Sequence, residues 1–164
     1  GSTALFELEP GTTVAIELPY GDMWLRPHDR PVLLAAGGTG ISAILALLRQ
    51  LVAQPEDAAR RRVRVVYGAA TTVDLVCWDE LVGLVDRLPD ATLHGALVAP
   101  EAQWQGTHGF VTHALQELAD SGEHHDLGDS DVYLAGPPVM VQAVKESLAE
   151  LGIPLDRTYV DSFG

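Results

Sequence analysis

The feature that most constrains this chain is a turn with three glycines in four residues, Gly37-Gly38-Thr39-Gly40. A short apolar run, residues 31–36, precedes the turn, and a longer one, residues 41–51, follows it. The first run is bounded by Pro and Gly, which is typical of a strand buried on both faces. The second run has its apolar residues at helical spacing. The pattern therefore predicts a strand, a glycine turn and a helix in succession.

A glycine turn of this kind is a natural place for an anion. Glycines let the backbone approach a ligand closely, and the helix N-terminus presents N–H groups and the positive end of its dipole. The turn lacks the Lys of a Mg-nucleotide hydrolase loop, and it is not the G-x-G-x-x-G of the ordinary dinucleotide fingerprint. The residues alone thus predict a phosphate-bearing ligand, and a tight turn without any ligand stays the alternative.

Composition limits the classes of protein that this chain can belong to. With 164 residues, 47% of them hydrophobic, it is long enough for one domain with a sizeable core. A net charge of −13 argues against nucleic acid and anionic membranes as partners. The single cysteine, Cys77, excludes an internal disulfide and a cluster held by cysteines of this chain alone. No segment reads as a signal peptide or membrane span, which predicts a cytoplasmic protein.

Strand and helix patterns alternate along most of the chain. Predicted strands cover residues 32–36, 63–67, 92–98, 131–135 and 158–161, and predicted helices cover residues 41–54, 76–88, 111–120 and 139–151. Residues 54–57 and 121–123 are predicted to be loops. This alternation predicts an α/β fold, a doubly wound five-stranded parallel sheet with helices on both faces, similar to the Rossmann fold. Residues 1–28 differ, because residues 13–18 alternate like a strand between two turns.

A second glycine turn, Gly136-Pro137-Pro138, also follows a predicted strand and opens a predicted helix. In a doubly wound sheet the first and fourth predicted strands would be neighbours where the winding reverses. The two turns would then face each other at the carboxyl ends of these strands, where such folds bind ligands.

Other candidates for chemistry are weaker. His108 and His113 have the wrong spacing for one helical face, and His124-His125 lie in a polar stretch, so no metal site is predicted. Ser42 has no evident base partner. Cys77 lies at the start of a predicted helix and is interpreted as a small buried residue rather than a reactive thiol.

Several motifs together resemble a known family. They are Pro19-Tyr20-Gly21, Gly37 to Ile41, residues 66–69 with Asp74-Leu75 and Glu80-Leu81, Gly109-Phe110-Val111-Thr112, residues 133–138 with Met140-Val141, and residues 159–163. In this order they resemble the NAD(P)-binding domain of the ferredoxin–NADP reductase superfamily, and more narrowly the reductase components of benzoate-type aromatic-ring dioxygenases. The resemblance implies that residues 1–28 are the remnant of a preceding flavin-binding β-barrel domain and that residues 29–164 bind a nicotinamide nucleotide.

The resemblance also implies roles for particular residues. The pyrophosphate would lie at Gly37, Gly38, Thr39, Gly40 and Ile41, the adenosine end at Tyr67, Gly68 and Ala69, and the nicotinamide end at Gly136, Pro137, Pro138 and Met140. Phe163 would lie near the flavin ring, with a plain core aromatic as the alternative. Ala135 stands where the family often has a Cys that helps to place the nicotinamide at the flavin. Asp74 either contacts a ribose or caps a helix.

The implied activity is that of an electron-transfer reductase component. NADH would pass hydride to FAD held mainly by the flavin domain, and electrons would continue to a 2Fe-2S cluster in a ferredoxin domain of the same polypeptide and to an oxygenase component. NADH is expected rather than NADPH, because residues 67–74 contain no Arg or Lys to meet a 2′-phosphate. The alternatives are an NADPH-dependent ferredoxin or flavin reductase, a non-redox nucleotide-binding regulatory module, and an interaction surface only.

Overall fold

A parallel six-stranded β-sheet forms the centre of the molecule, in the strand order β4-β3-β2-β1-β5-β6. The computed structural model describes residues 2–17, 21–123 and 127–163. The strands are β1 (Val32–Gly37), β2 (Val63–Ala69), β3 (Ala91–Leu97), β4 (Thr107–His108), β5 (Asp131–Gly136) and β6 (Thr158–Ser162). The predicted parallel α/β fold is confirmed. The predicted strand number of five is corrected to six by β4, which is too short to leave an apolar pattern.

Helices connect most of the strands, and one further helix precedes β1. They are α1 (Ser2–Phe6), α2 (Ile41–Ala53), α3 (Pro55–Ala58), α4 (Trp78–Val85), α5 (Val111–Leu118) and α6 (Pro138–Glu150). Short 3₁₀ turns cover Gly38–Gly40, Thr72–Asp74 and Leu155–Arg157. A wider helical turn, Ala119–Glu123, is interrupted at Gly122, whose φ is +89°.

The core has two apolar layers, one on each face of the sheet. Leu34 of β1 packs in a cluster with residues of α2 and α4, whereas its neighbour Leu33 packs with residues of α5 and α6. Every residue of β1 and β5 is buried. Helices therefore cover both faces, as the continuous apolar character of these strands predicts.

Three local predictions are wrong. Residues 13–17 form no strand, because a strand needs a hydrogen-bonded neighbour and no described strand lies beside them; Leu18, Pro19 and Tyr20 lie outside the described residues. The predicted loop at 54–57 contains α3, which begins at Pro55 with acidic residues in its first turn, both favourable at a helix N-terminus. Cys77 is exposed, because the chain takes a left-handed turn there, with φ +58°, before α4.

Residues 23–26 pack against the face of the sheet that α2 and α4 cover. Leu25 is buried in that cluster, and the backbone N–H of Arg26 donates a hydrogen bond to the Tyr133 hydroxyl at 2.9 Å. The Arg26 guanidinium lies between the rings of Trp24 and Tyr159, 3.7 and 3.8 Å from their centres. Residues 23–26 thus pack as part of the α/β domain. That residues 1–28 are the remnant of a β-barrel domain stays a prediction. Within the described ranges, every helix is too short or too polar to cross a bilayer.

Candidate functional site

The two glycine turns meet at one edge of the sheet. Strands β1 and β5 are adjacent and parallel, with Ala36 paired to Ala135, so the chain leaves both strands on the same side. A Cβ atom built on Gly136 would lie 3.1 Å from the Gly37 carbonyl oxygen. The prediction that these strands are neighbours and that their turns face each other is confirmed.

The glycines of the first turn have different surroundings. Gly38 has a left-handed φ of +53°, and a Cβ built on it would meet no atom within 4 Å. A Cβ on Gly40 would lie 2.1 Å from the carbonyl oxygen of Ala135, so Gly40 lets α2 approach β5. Gly38 therefore faces the space that a ligand can enter, whereas Gly40 serves packing between helix and strand.

A cavity of about 460 Å³ opens beside these turns. Its lining is mostly apolar and comes from the carboxyl ends of four strands, β1, β2, β3 and β5, and from the starts of α5 and α6. The lining residues are Gly37, Gly38, Gly68, Ala69, Ala70, Val98, Phe110, Val111, Thr112, Pro137, Val139, Met140 and Ala143. The structure thus brings together Gly37, Gly38, Gly68, Ala69, Pro137 and Met140 from the residues that the resemblance named.

Other residues that the resemblance named for the dinucleotide do not line this cavity. Ile41 is buried in the core, and its backbone N–H donates to carbonyl oxygens of the 3₁₀ turn. The carbonyl oxygen of Thr39, an exposed residue, accepts a hydrogen bond from the Ser42 hydroxyl at 3.1 Å. Pro138 is exposed at the start of α6. Of the residues named for the pyrophosphate, only Gly37 and Gly38 line the cavity.

Tyr67 lies beneath the first turn and is not part of the cavity wall. Its side chain is fully buried, and its hydroxyl lies 3.2 Å from the Gly38 carbonyl oxygen and 3.3 Å from that of Asp74. Burial raises the pKa of this hydroxyl above its ordinary value, so it stays a donor. Alternation along β2 turns the Tyr67 ring into the core, so Gly68 and Ala69 line the cavity whereas Tyr67, named with them for the adenosine end, does not. Tyr67 instead holds two loops in place.

Asp74 is engaged with its own turn. Its carboxylate accepts hydrogen bonds from the backbone N–H of Thr71 at 3.0 Å and from the Thr71 hydroxyl at 2.7 Å. Of the two interpretations left open by the sequence, this geometry favours the cap, here of the 3₁₀ turn Thr72–Asp74.

The two residues implied for chemistry occupy different environments. Ala135 has no exposed surface, since β5 turns its side chain into the core beside α2. The structure therefore contradicts access of a ligand to this side chain. Phe163 is 37% exposed, and its backbone N–H donates to the Gly136 carbonyl oxygen at 3.3 Å. Phe163 is therefore an exposed aromatic beside the second turn and not a core residue.

Sequence reasoning missed the wall formed by the start of α5. Val111 packs so closely on β2 that a Cβ on Gly68 would lie 2.3 Å from its Cγ2. The adjacent Phe110 is 61% exposed, and its backbone N–H donates to Nδ1 of His113 at 3.0 Å. The sequence did contain a signal for this wall, because Gly109-Phe110-Val111-Thr112 is one of the motifs of the resemblance. No binding role was predicted for these four residues.

Positive charge is absent from the cavity wall. The ten Arg and Lys residues all fall within the described ranges, and none of them lines the cavity. Arg61 and Arg64, at the opposite end of β2, pair with Asp57 at 3.2 Å and with Asp90 at 3.0 Å. An anion in the cavity would consequently depend on backbone N–H groups and the N-terminus of α2.

The described residues contain no group of three or more His, Cys, Asp or Glu side chains that could hold a metal ion. His124 and His125 lie outside the described residues.

Comparison with known proteins identifies the family. Residues 34–146 match the family described as "Oxidoreductase NAD-binding domain". The chain belongs to this family. Its place is within the ferredoxin–NADP reductase-like superfamily, as the motifs implied.

The similar proteins include two dioxygenase components. The anthranilate 1,2-dioxygenase electron transfer component of Acinetobacter baylyi is 34% identical over 153 residues, which cover 93% of this chain and 42% of that protein. The toluate 1,2-dioxygenase electron transfer component of Pseudomonas putida is 31% identical over 153 residues, covering 93% of this chain and 43% of that protein. The chain thus spans less than half the length of these relatives.

A solved structure of a similar protein supports the same family assignment. The ferredoxin reductase in carbazole 1,9a-dioxygenase superposes with a TM-score of 0.67 at 29% identity, covering 85% of this chain and 40% of that one. The chain is therefore an NAD-binding domain of a ferredoxin–NADP reductase-like oxidoreductase.

Proposed function

We propose that this domain binds NADH across the two glycine turns and presents it to FAD held mainly by a flavin domain of the same polypeptide. Electrons then pass singly to a 2Fe-2S cluster in a ferredoxin domain and on to an oxygenase component. Two of the similar proteins are electron transfer components of dioxygenases, which supports this route. The chemistry belongs to the cofactors, and this chain supplies binding and orientation.

The observation that carries the proposal is the cavity between the two turns. The backbone at Gly37 and Gly38 and the N-terminus of α2 suit a pyrophosphate, and the apolar wall of the cavity suits flat aromatic rings. Phe163 lies beside the second turn, where its backbone N–H donates to the Gly136 carbonyl oxygen, and the proposal assigns the nicotinamide to this turn. Its exposed ring is available for contact with that flavin.

NADH is the proposed donor, and NADPH is expected to bind more weakly. A 2′-phosphate would need a cation or several donors beyond β2. There, Asp74 is acidic and exposed, and the cavity wall holds no Arg or Lys among its residues. The extra phosphate would therefore lose hydration without gaining a partner.

Calorimetric titration of NADH and NADPH into the purified chain tests the proposal. We expect NADH to bind more tightly than NADPH. Gly38→Ala is expected to weaken NADH binding, because the methyl group occupies the open space beside the turn. Gly83→Ala, in an exposed part of α4 far from the cavity, is the matched control and is expected to bind normally.

Failure to bind either dinucleotide would contradict the binding proposal, and tighter binding of NADPH would contradict the charge argument. The electron route is tested separately in a polypeptide that includes the flavin domain, where NADH should bleach the flavin absorbance and Gly38→Ala should slow the bleaching. The chain alone is expected to show no flavin or iron–sulfur absorbance. Stoichiometric absorbance of either kind would contradict the assignment of these cofactors to other domains.

A further inference from the structure

The thioether of Met140 lies between the two glycine turns. A Cβ atom on Gly37 would be 3.1 Å from the Met140 sulfur, and a Cβ on Gly136 would be 2.9 Å from it. The side chain is half-buried in the first turn of α6, packs against the core cluster below, and lines the cavity. One sulfur atom thus supports both turns and forms part of the wall between them.

This position makes the sulfur both reachable and sensitive to modification. A molecule as small as hydrogen peroxide can enter a cavity of about 460 Å³. Peroxide would transfer one oxygen atom to the sulfur: the O–O bond breaks, an S=O bond forms, the thioether loses two electrons, and water leaves. The product is a polar sulfoxide on what was an apolar, flexible side chain.

The sulfoxide oxygen would disturb the site in either orientation open to it. Toward the turns, a Cβ on Gly37 or Gly136 would already press on the Met140 sulfur, so a sulfoxide oxygen there would displace the thioether from its position between the turns. Toward the cavity, the oxygen would occupy ligand space, and a bound dinucleotide would leave it an acceptor without water on an apolar wall. Both directions oppose a dinucleotide lying across the turns.

We propose that Met140 is an oxidation site whose sulfoxide closes the dinucleotide cavity, making binding sensitive to peroxide. The effect on the dinucleotide rests on the proposed function. The chain offers simple controls, since Met23 is its only other methionine and Cys77 its only cysteine. Met23 packs against the cluster on the opposite face of the sheet, and Cys77 is exposed before α4, so neither lines the cavity.

The experiment uses the full chain with Met23→Leu and Cys77→Ser, so that Met140 is the one oxidisable sulfur. The protein is treated with hydrogen peroxide, the added oxygen is located by mass spectrometry, and NADH affinity is measured before and after. We expect sulfoxide at Met140 to weaken binding by about tenfold or more, as an unpartnered polar group in an apolar site should. Methionine sulfoxide reductases should restore the affinity, and the further variant Met140→Leu should keep its own starting affinity after the same treatment.

Three results would overturn the proposal: unchanged affinity at full oxidation of Met140, an equal loss in Met140→Leu, or resistance of Met140 to peroxide that oxidises Met23 in the unmodified chain. A second readout needs no dinucleotide. In protein labelled with ¹⁵N-glycine, oxidation should shift the amide signals of Gly37 and Gly136 and leave that of Gly83 in place. If untreated protein failed to bind NADH, the proposed function would fail, and these signals would still decide the present inference, because unshifted signals would refute it.

Discussion

Replacing Gly40 by Ala sets two physical effects against each other. Gly40 has φ −57° and ψ −19°, a backbone conformation that alanine adopts readily. Judged on backbone alone, Gly→Ala at such a position stabilises a protein by about 0.4–1 kcal/mol, chiefly by restricting the unfolded chain. The new methyl group, however, would lie 2.1 Å from the carbonyl oxygen of Ala135 and 2.8 Å from the nitrogen of Gly136.

The steric clash should outweigh the backbone gain and determine the stability of the Gly40→Ala protein. The shorter distance is more than an ångström below the 3.4 Å at which ordinary contact begins, and the opposing atoms belong to backbone that cannot rotate away. Overpacking in a close-packed core costs about 1–3 kcal/mol, and a rigid opposing strand puts this site at the upper end, about 3 kcal/mol. After subtraction of the backbone gain, we expect a net loss of about 2–3 kcal/mol.

Thermal and urea unfolding followed by circular dichroism measure this loss. For a chain of this size the expected fall in Tm is on the order of 5–10 °C. Gly83→Ala is the control, because Gly83 is exposed in α4 and a Cβ there meets no atom within 4 Å. It should stabilise the protein by about 0.5–1 kcal/mol. A Gly40→Ala protein as stable as the wild type would refute the argument that this glycine exists for helix–strand packing.

Three further predictions follow from other contacts. Gly136→Ala should cost about 2 kcal/mol in urea unfolding, because Gly136 has φ +152° and little room beside the Met140 sulfur; wild-type stability would contradict this. His113→Ala should cost about 1 kcal/mol through loss of the acceptor for the Phe110 N–H and should weaken dinucleotide binding at the cavity wall; calorimetry showing unchanged affinity would exclude a positioning role. Burial raises the pKa of Tyr133 to about 12 in the folded protein, whereas the unfolded chain ionises this hydroxyl near pH 10. The free energy of unfolding should therefore be unaffected by this group below pH 10 and should fall as the pH rises from 10 toward 12. Unfolding measured across this range should show a shallower decline in Tyr133→Phe, and equal slopes would refute the assignment.

Much of the fold could be predicted from the sequence, because its main signals are local. The apolar run before Gly37 is continuous and short, and each later strand is separated from the next by a stretch with helical spacing. These periods reflect which faces of each element are buried. The family motifs then predicted a ligand at the ends of β1 and β5, and the structure has a cavity beside these ends.

Weak or non-local signals account for the errors. Strand β4 has two residues, too few for any period to appear. Residues 13–17 alternate as a strand would, yet alternation cannot supply the neighbour that a strand requires. The sequence likewise did not show in which direction the side chains of Tyr67 and Ala135 point. A glycine motif marks a turn, but it does not state which neighbouring side chains face the ligand.

The sequence by itself therefore determined the class of fold, the order of its elements and the turns that a dinucleotide would approach. Only the tertiary structure decided how the glycines divide their roles, with Gly38 open to a ligand and Gly40 and Gly68 pressed against other elements. It also decided that Phe110 and Val111, distant in the chain from Gly37, complete the cavity wall. The physical reason is that periodicity encodes the local environment of each element, whereas a cavity is formed by residues that only the strand order of the sheet brings together.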